Sequence, residues 1–523
     1  MAVLTQNEGM LLLAAFGCAM LILVWWGAKR EHGLDGFLAA NRDVSVGHGA
    51  LSIAVSWIWA PAVFICSLQA YTKGLPGVFW FTFPNVLCFF TFAPLAIRFR
   101  RSLPHGYTLP EYIAFRFPAS RRAHLALLVV FFGYQLGAVI INTLAGGLLL
   151  NAVAGIKFSH AVLGMSTIAI SYSLLGGLRA SILTDVIQMA MLLLVALALV
   201  PWSLQVAGGS AVLLAGLGGF DGSHRNLLDP WIAFTMGIPM TLGLLAGPIS
   251  DQMFFQRAQA IREASPFRTF IIAGLLFAVV PVVLSSLGFI GAGLAQTKGF
   301  SVSDPQLVGP AVVAELLPRT ALYLFCLMAF AGLCSTLDSA YCAISALGSI
   351  DVYRRYVNSQ ATDAQLLRAS RFSMLALGTL GTGAALLQPQ LLWVFLIYGA
   401  LAAAGMFPII FSLCWSGVTE RGVFWGVCSS LCLGLPLSMY ANISERPVLI
   451  VLAAVLSTFV GGIVCILLRK TAELEPFMND GDGEQHYRSH TNRDTQCTLV
   501  AMPGSHRDPG CNVELIRYER TKS

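Results

Sequence analysis

Runs of about twenty apolar residues recur along the chain as far as residue 470. An α-helix needs roughly 20 apolar residues to cross the hydrocarbon core of a bilayer. Backbone polar groups in lipid must be satisfied within the segment, so such runs must be helical. The chain is 56% hydrophobic and only 11% charged, whereas soluble domains have about 25% charged residues. The sequence therefore predicts an all-α, polytopic membrane protein.

Counting these runs predicts about 13 transmembrane helices. The first run lacks a basic start and a small-residue cleavage site, so we expect a retained helix and not a signal peptide. The predicted spans lie near residues 8–28, 45–72, 76–97, 124–154, 158–177, 180–203, 230–250, 268–296, 318–349, 370–388, 390–416, 421–441 and 446–468.

Lys and Arg are distributed unequally between the two sets of predicted loops. Six lie on one side, and twenty of the 32 lie on the other, in loops 29–44, 98–123, 178–179, 251–268, 351–371, 417–421 and 469–470. Basic loops stay in the cytoplasm, so we expect the N-terminus outside, the C-terminus inside, and a location in the plasma (inner) membrane. The net charge of +6 then reflects loop bias, and we expect no nucleic-acid partner. The polar segment 471–523 is predicted to be a cytoplasmic tail, and the oligomeric state stays open.

Two adjacent hydroxyls, Ser335 and Thr336, lie with the acid Asp338 inside one of the apolar runs. Each unsatisfied polar group in lipid costs several kcal/mol. Hydroxyl and carbonyl oxygens are the ligands that hard cations prefer. The stretch therefore indicates one half of an ion site buried in the membrane. The alternative is that the hydroxyls bond to carbonyls one turn earlier in their own helix.

The predicted spans two to six and seven to eleven form two groups of five with opposite starting directions. Each group opens with a run that we expect to be an interrupted helix, at residues 56–61 and 237–243. Paired broken helices at corresponding positions are typical of a transporter site near the membrane midplane. Ordinary proline kinks remain the alternative.

Four segments make the chain resemble the solute:sodium symporter family. Residues 175–188 resemble its Gly-Gly-Leu…Thr-Asp-x-x-Gln pattern, and residues 250–257 resemble its Thr-Asp-Gln…Gln-Arg element. Residues 334–353 resemble its Ser-Ser/Thr-x-Asp-Ser…Asp-x-Tyr helix, and residues 402–415 its Gly-x-x-x-Pro…Phe-Trp helix. The four occur in the family's order, and the resemblance runs from about residue 45 to 416.

The resemblance implies a leucine-transporter-type core of two inverted five-helix repeats, at about 45–203 and 230–416. An extra helix and loop at 1–44 would precede this core, and two extra helices at 417–470 would follow it. The resemblance also implies sodium as the coupling ion and the only metal, with no cofactor. Its sodium ligands would be the carbonyls of Val55, Ile58 and Gly332 and the hydroxyls of Ser335 and Thr336.

Two intramembrane acids are candidates for the ion pathway. The resemblance gives Asp185 the role of a staging carboxylate, with a structural pairing to Arg179 as the alternative. Asp338 shares a helical face with Ser335, so it either orients the hydroxyls or bonds to a neighbouring helix. Near residues 251–257, a gate network and a solvated helix end are both compatible with the sequence.

The sequence constrains the identity of the solute less than that of the ion. Trp57, Trp59, Tyr134, Gln135 and Gly247 are the candidate contacts. The two indoles resemble the Trp-x-Trp-Ala segment of urea-carrying relatives, and stacking on a planar or cationic solute competes with lipid-facing anchoring. Sugar-carrying relatives have polar gates where this chain has small or apolar residues.

These observations together predict sodium-coupled symport of a small polar organic solute by alternating access. We expect an amino acid, a urea-like molecule or a carboxylate, with the lipid bilayer, the solute and Na⁺ as partners. The sequence has no phosphate-binding glycine loop and no nucleophile motif, so we expect no enzyme. A sodium-independent channel or facilitator and a membrane sensor module remain alternatives.

Overall fold

The computed structural model describes residues 3–28, 33–263 and 265–470, and the predicted tail 471–523 lies outside them. The described residues form eighteen α-helices and no β-strand, which confirms the all-α prediction. The helices are α1 (Gln6–Ala28), α2 (Leu34–Ala39), α3 (Val46–Ser56), α4 (Cys66–Ser102), α5 (Leu109–Arg116), α6 (Arg121–Ala154), α7 (Phe158–Ala207), α8 (Ser210–Gly216), α9 (Pro230–Ile232), α10 (Ile238–Ile249), α11 (Gln252–Ala260), α12 (Pro266–Lys298), α13 (Val308–Leu316), α14 (Arg319–Ala346), α15 (Asp363–Ala385), α16 (Leu391–Cys414), α17 (Glu420–Ile443) and α18 (Pro447–Leu467).

Ten helical stretches in the described part of the chain are long and apolar enough to cross a membrane. The sequence predicted about 13 because it counted α4 and α7 as two spans each, separated close to the kinks where Gly74 and Gly177 have non-helical φ/ψ. It also counted α15, which is not among the ten. The number thirteen therefore stays a prediction. The qualifying stretches are Gln6–Gly27, Ala62–Ser102, Arg121–Ala154, Phe158–Ala207, Pro230–Ile249, Pro266–Lys298, Arg319–Val357, Trp393–Cys414, Glu420–Ile443 and Pro447–Leu467.

The kinks in α4 and α7 both occur at glycines with positive φ. Gly74 and Gly177 each have a φ of 57°, a conformation that only glycine adopts at little cost. A Cβ on Gly177 would lie 2.5 Å from the carbonyl oxygen of Phe37. The glycine therefore allows α2 to pack against the bend in α7.

Helix α14 lies at the centre of the bundle. Its apolar window is 78% buried, against 33% for α1, and it packs against α3, α6, α7 and α15. The outer helices instead expose large apolar side chains such as Trp26, Leu433 and Ile463, as lipid-facing helices do. The hydroxyls and the acid of α14 are consequently far from any solvated surface.

The two predicted helix interruptions have different outcomes. The first is present, because α3 ends at Ser56 and helical structure resumes only at residue 60. The second prediction, at 237–243, was wrong, since α10 is helical there. Pro239 lies in the first turn of α10 and a π-helical segment, Ala233–Gly237, precedes it. The chain instead leaves the helix at Ser250 and Asp251.

Helix α11 lies among arginines at one end of the bundle, which we call the arginine-rich side. The backbone of Val44 bonds to Ala260 and Arg262 through N···O distances of 3.0 and 3.1 Å. The guanidinium of Arg100 donates to the Gln259 carbonyl at 2.9 Å. These bonds fix α11 against the chain that enters α3.

Candidate functional site

The break between α3 and α4 is stabilised by a side chain from α6. The side-chain oxygen of Asn142 accepts a hydrogen bond from the backbone N–H of Ala60 at 2.8 Å. This bond satisfies a donor that the interruption frees, as a break inside a membrane requires. Sequence reasoning missed Asn142, although an amide inside the apolar run 124–154 was a signal for it.

Oxygen atoms from the end of α3, from the break itself and from α14 converge on Thr336. Its hydroxyl oxygen lies 3.3 Å from each of the carbonyl oxygens of Ser56, Ile58 and Gly332. One hydroxyl has a single hydrogen, so it can donate to only one of these carbonyls. The four neutral oxygens therefore form a cluster suited to a hard cation.

The predicted carbonyl ligand Val55 lies beside this oxygen cluster. Its oxygen accepts a hydrogen bond from the Ile58 N–H at 2.9 Å. Of the three carbonyls next to Thr336, that of Ser56 was not among the predicted ligands. The role of Val55 stays a prediction.

Ser335 faces a buried carboxylate on α7. Its hydroxyl donates to one oxygen of Asp185, and Ser52 donates to the other at 2.5 Å. A guanidinium nitrogen of Arg257 lies 2.9 Å from the same carboxylate and 2.6 Å from the Ser339 hydroxyl. We call this group, together with Thr336 and its carbonyls, the ion side of the broken helix.

The sequence left open which arginine pairs with Asp185 and whether residues 251–257 form a solvated helix end. Asp185 forms its ion pair with Arg257 of α11, which is 1% exposed. The chain around Arg257 is therefore no solvated helix end, since Asp251, Gln252 and Gln256 are also fully buried.

Asp338 bonds across to α7. Its carboxylate accepts hydrogen bonds from Ser181 at 2.7 Å and Thr184 at 3.3 Å. Among the described residues, the salt bridge in this buried region joins Arg257 to Asp185, and none is formed by Asp338. Asp338 is therefore satisfied by hydroxyls of α7 and not by a guanidinium.

A cavity of about 60 Å³ lies on the other side of the broken helix. Its lining includes Trp57, Trp59, Asn85 and Tyr134, from the broken helix, α4 and α6, and we call these four residues the solute side. Helices α10, α16, α17 and α18 complete the wall. By the rule that a water needs about 10–15 Å³ of such space, the cavity holds roughly four to six water-sized groups.

The two indoles are core residues of this wall. Trp57 and Trp59 are each 5% exposed, which excludes the lipid-facing alternative. The Trp57 ring meets Phe254 edge-on at a centroid distance of 5.0 Å, and Trp59 lies 5.4 Å from the Tyr134 ring. Phe254 was not among the predicted contacts.

The two indole N–H groups differ in their partners. The N–H of Trp57 donates to the side-chain oxygen of Asn85 at 3.0 Å, and Asn85 in turn donates to the Phe81 carbonyl at 2.8 Å. The N–H of Trp59 is buried and has no partner. An unpaired buried donor costs about 1–3 kcal/mol, and Trp59 is among the residues that line the cavity.

The other two predicted solute contacts lie behind the cavity wall. A Cβ on Gly247 would lie 2.6 Å from the Trp57 ring and 2.9 Å from the Tyr134 hydroxyl, so this glycine allows α10 to approach both rings. Gln135 donates to Asp251 at 2.7 Å. Neither Gly247 nor Gln135 is among the residues that line the cavity.

A broken first core helix, an oxygen cluster beside it and a cavity across from it define a secondary transporter of the leucine-transporter type. The solved structures agree on the fold. A substrate-bound, outward-open Na⁺-coupled sialic acid symporter superposes with a TM-score of 0.72 at 19% identity, covering 89% of this chain and 99% of that one.

The family model named Sodium:solute symporter family matches residues 37–429, and the chain belongs to that family. The urea-proton symporter DUR3 of Oryza sativa subsp. japonica is 25% identical, over 99% of this chain and 77% of its own length. A probable urea active transporter of Schizosaccharomyces pombe is 25% identical, over 80% and 68%. The osmoregulated proline transporter OpuE of Bacillus subtilis is 23% identical, over 81% and 86%. The chain is thus a symporter of small solutes and not an enzyme.

Proposed function

We propose that the chain couples the entry of urea, or of a similarly small amide, to sodium. The single observation that carries the solute is the cavity of about 60 Å³ beside the unpaired Trp59 N–H. Urea has one carbonyl oxygen to accept this N–H and flat faces that stack on indoles. The urea transporters among the relatives support the same solute.

The lining of the cavity argues against sugars. A hexose has about three times as many heavy atoms as urea, and it needs several polar partners. The wall near Leu244 and Gly243 on α10 is apolar. We therefore expect hexoses to bind poorly.

We propose Thr336 and Ser335, with the carbonyls of Ile58, Val55 and Gly332, as the sodium ligands. The convergence of neutral oxygens on Thr336 supports Thr336, Ile58 and Gly332 as ligands, and it adds the Ser56 carbonyl to the set. Asp185 and Asp338 would then attract the ion toward the arginine-rich side. The rice relative's name raises proton coupling as a second candidate, and the experiment below includes it.

We further propose that the arginine-rich side faces the cytoplasm of a plasma (inner) membrane, with the N-terminus outside. The excess of Lys and Arg in loops on that side supports this orientation. The core would comprise inverted repeats at about 45–203 and 230–416, with helices outside the core at each end.

In this mechanism the broken helix links ion and solute. Sodium would draw the Ser56 and Ile58 carbonyls toward α14, and the intervening Trp57 would move with them against the solute. Binding of each ligand then favours the conformation that suits the other, and the two affinities must change reciprocally.

The test is uptake of labelled urea into liposomes that contain the purified protein. An inward sodium gradient should drive accumulation above equilibrium, while a pH gradient without sodium should not. At about 100 mV and a tenfold gradient, one sodium supports roughly 500-fold accumulation of a neutral solute.

Three results would contradict parts of the proposal. Uptake that never exceeds equilibrium would indicate a facilitator, and accumulation driven by pH alone would replace sodium with protons. Inhibition by excess glucose would overturn the solute assignment. Protein-free liposomes and protein with a dissipated gradient are the controls.

A further inference from the structure

A buried acid–amide pair joins α6 to the start of α11 on the arginine-rich side of the solute cavity. The side-chain N–H of Gln135 donates to Asp251 Oδ1 at 2.7 Å, and the Met253 backbone N–H donates to the same oxygen at 2.8 Å. Both side chains are fully buried. Gln135 directly follows Tyr134, which lines the cavity, so the pair lies next to the solute side.

Each member of this pair has one oxygen without a partner. Oδ2 of Asp251 and Oε1 of Gln135 are both buried and accept no hydrogen bond. Both atoms are acceptors when Asp251 is ionised, so they cannot bond to each other. Two unpaired buried acceptors in one contact cost several kcal/mol, and a missing donor is the simplest reason for both.

A proton on Asp251 supplies that donor. Protonation at Oδ2 leaves Oδ1 free to keep its bonds from Gln135 and Met253, and it turns Oδ2 into an O–H donor. A carboxylic acid and an amide can then form N–H···O and O–H···O bonds side by side, and the N–H···O bond from Gln135 is already present. The proton comes from water, and no other bond is made or broken.

The charged and titratable groups facing Asp251 do not supply the missing donor. Arg257, on the same helix, has its guanidinium bonded to Asp185, Ser52 and Ser339. Tyr134 on α6 interacts electrostatically with Asp251 and with Cys88 of α4. Among these groups, Arg257 alone carries a charge that favours the ionised acid.

We propose that Asp251 and Gln135 form a proton-binding site, and that its protonated form holds α6 against α11 below the solute cavity. Loss of the proton would leave a buried carboxylate whose Oδ2 has no donor, and it would weaken this contact on the arginine-rich side. The link to solute transport rests on the function proposed above, whereas binding of the proton does not.

Burial supports titration in the physiological range. Asp251 lies between α10 and α11, outside the ten candidate spans, and its burial raises its pKa from 3.8 to about 7. A raised pKa means that the proton is bound at pH 6 and lost as the pH rises through 7. With a pKa near 7, the protonated fraction falls from about 90% at pH 6 to about 10% at pH 8.

The first measurement is infrared difference spectroscopy of the protein in liposomes between pH 8 and pH 6, without solute. The wild type should gain a protonated-carboxyl band that Asp251→Asn lacks. Asparagine keeps the N-cap bond to α11 and imitates the protonated acid toward Gln135. Asp251→Ser is a second variant that also keeps a cap and cannot titrate.

The matched control is Asp229→Asn, the same substitution at a helix N-cap away from the cavity. Asp229 accepts a bond from Ile232 at 2.9 Å, so any general effect of the change should appear there too. We expect Asp229→Asn to retain the full band.

The second measurement is urea affinity against pH. If only the protonated form holds the contact that binding requires, the wild-type affinity should fall about ninefold between pH 6 and pH 8. Asp251→Asn should change less than twofold. An equal band, or an equal pH profile, in wild type and both Asp251 variants would overturn the proposal.

The two proposals fail in different ways. A protein that titrates at Asp251 but binds no urea would refute only the solute assignment, and the pH profile would then be taken with the solute that does bind. A protein that accumulates urea without an Asp251 band would refute only the proton site.

Discussion

The ion side and the solute side of the broken helix are a few residues apart and are built on opposite principles. On the ion side, hydroxyls, carboxylates and one guanidinium satisfy each other through bonds such as Ser52 to Asp185. On the solute side, aromatic rings surround a space and the Trp59 N–H stays unpaired. Charged groups in lipid must therefore be paired with each other before the ion binds, whereas a neutral solute can supply the missing hydrogen-bond partner itself.

Removal of Arg257 should have the largest effect. Arg257→Met leaves Asp185 as a buried carboxylate without its cation, and breaking a buried pair costs about 3–5 kcal/mol. Denaturation of the purified protein in detergent measures this loss. The second change Asp185→Leu should recover much of it.

The matched control for that prediction is Arg262→Met. Arg262 pairs with Asp43 at 2.6 Å, but both side chains are more than 60% exposed. Exposed pairs contribute little, so stability should hardly change. Equal losses in Arg257→Met and Arg262→Met would contradict the prebuilt character of the ion side.

Removal of the two hydroxyls on α14 should weaken sodium binding. Ser335→Ala with Thr336→Ala deletes two of the proposed ligands, and the sodium concentration for half-maximal uptake should rise at least tenfold, about 1.4 kcal/mol. Ser345→Ala, on the same helix, removes a hydroxyl that bonds to Cys342 at 2.7 Å and should have no such effect. An unchanged sodium dependence in the double variant would exclude these ligands.

Substitution of Trp59 should mainly lower urea affinity, whereas substitution of Trp57 should mainly lower the thermal stability of the protein. Trp59→Phe removes an unpaired N–H together with part of the buried ring, so urea affinity should fall about five- to tenfold, the equivalent of one hydrogen bond. The lost ring volume is the same in Trp57→Phe, which serves as the matched comparison. Trp57→Phe instead deprives Asn85 of its donor and should lower the denaturation temperature more. Titration by isothermal calorimetry and melting curves test both, and the reverse pattern would refute the assignment of Trp59 to the solute.

The smallest effect is expected at the glycines of α10. Gly247→Ala would push the Trp57 and Tyr134 rings and reduce urea affinity about three- to fivefold, roughly 1 kcal/mol. A Cβ on Gly243 meets its nearest atom at 3.5 Å, so Gly243→Ala should change affinity less. Similar losses in both variants would indicate a general effect on α10.

Local features were predictable from the sequence. Apolar run length predicted the helical membrane architecture, and the family patterns predicted the regions of Ser335, Thr336 and Asp185. The interruption at 237–243 was predicted wrongly, since a proline in a first helical turn needs no break. Partners such as Asn142 and Asn85 were missed because each is one amide in an apolar run.

What the sequence by itself determined is therefore the class of the molecule: helices that cross a membrane, hydroxyls and acids that must be satisfied within it, and two indoles at a broken helix. Only the tertiary structure decided which groups satisfy each other. Asp185 meets Arg257 across 72 residues and Ser335 across 150. The physical reason is that lipid forbids an unpaired polar group wherever it occurs, while the choice of partner depends on how distant helices pack.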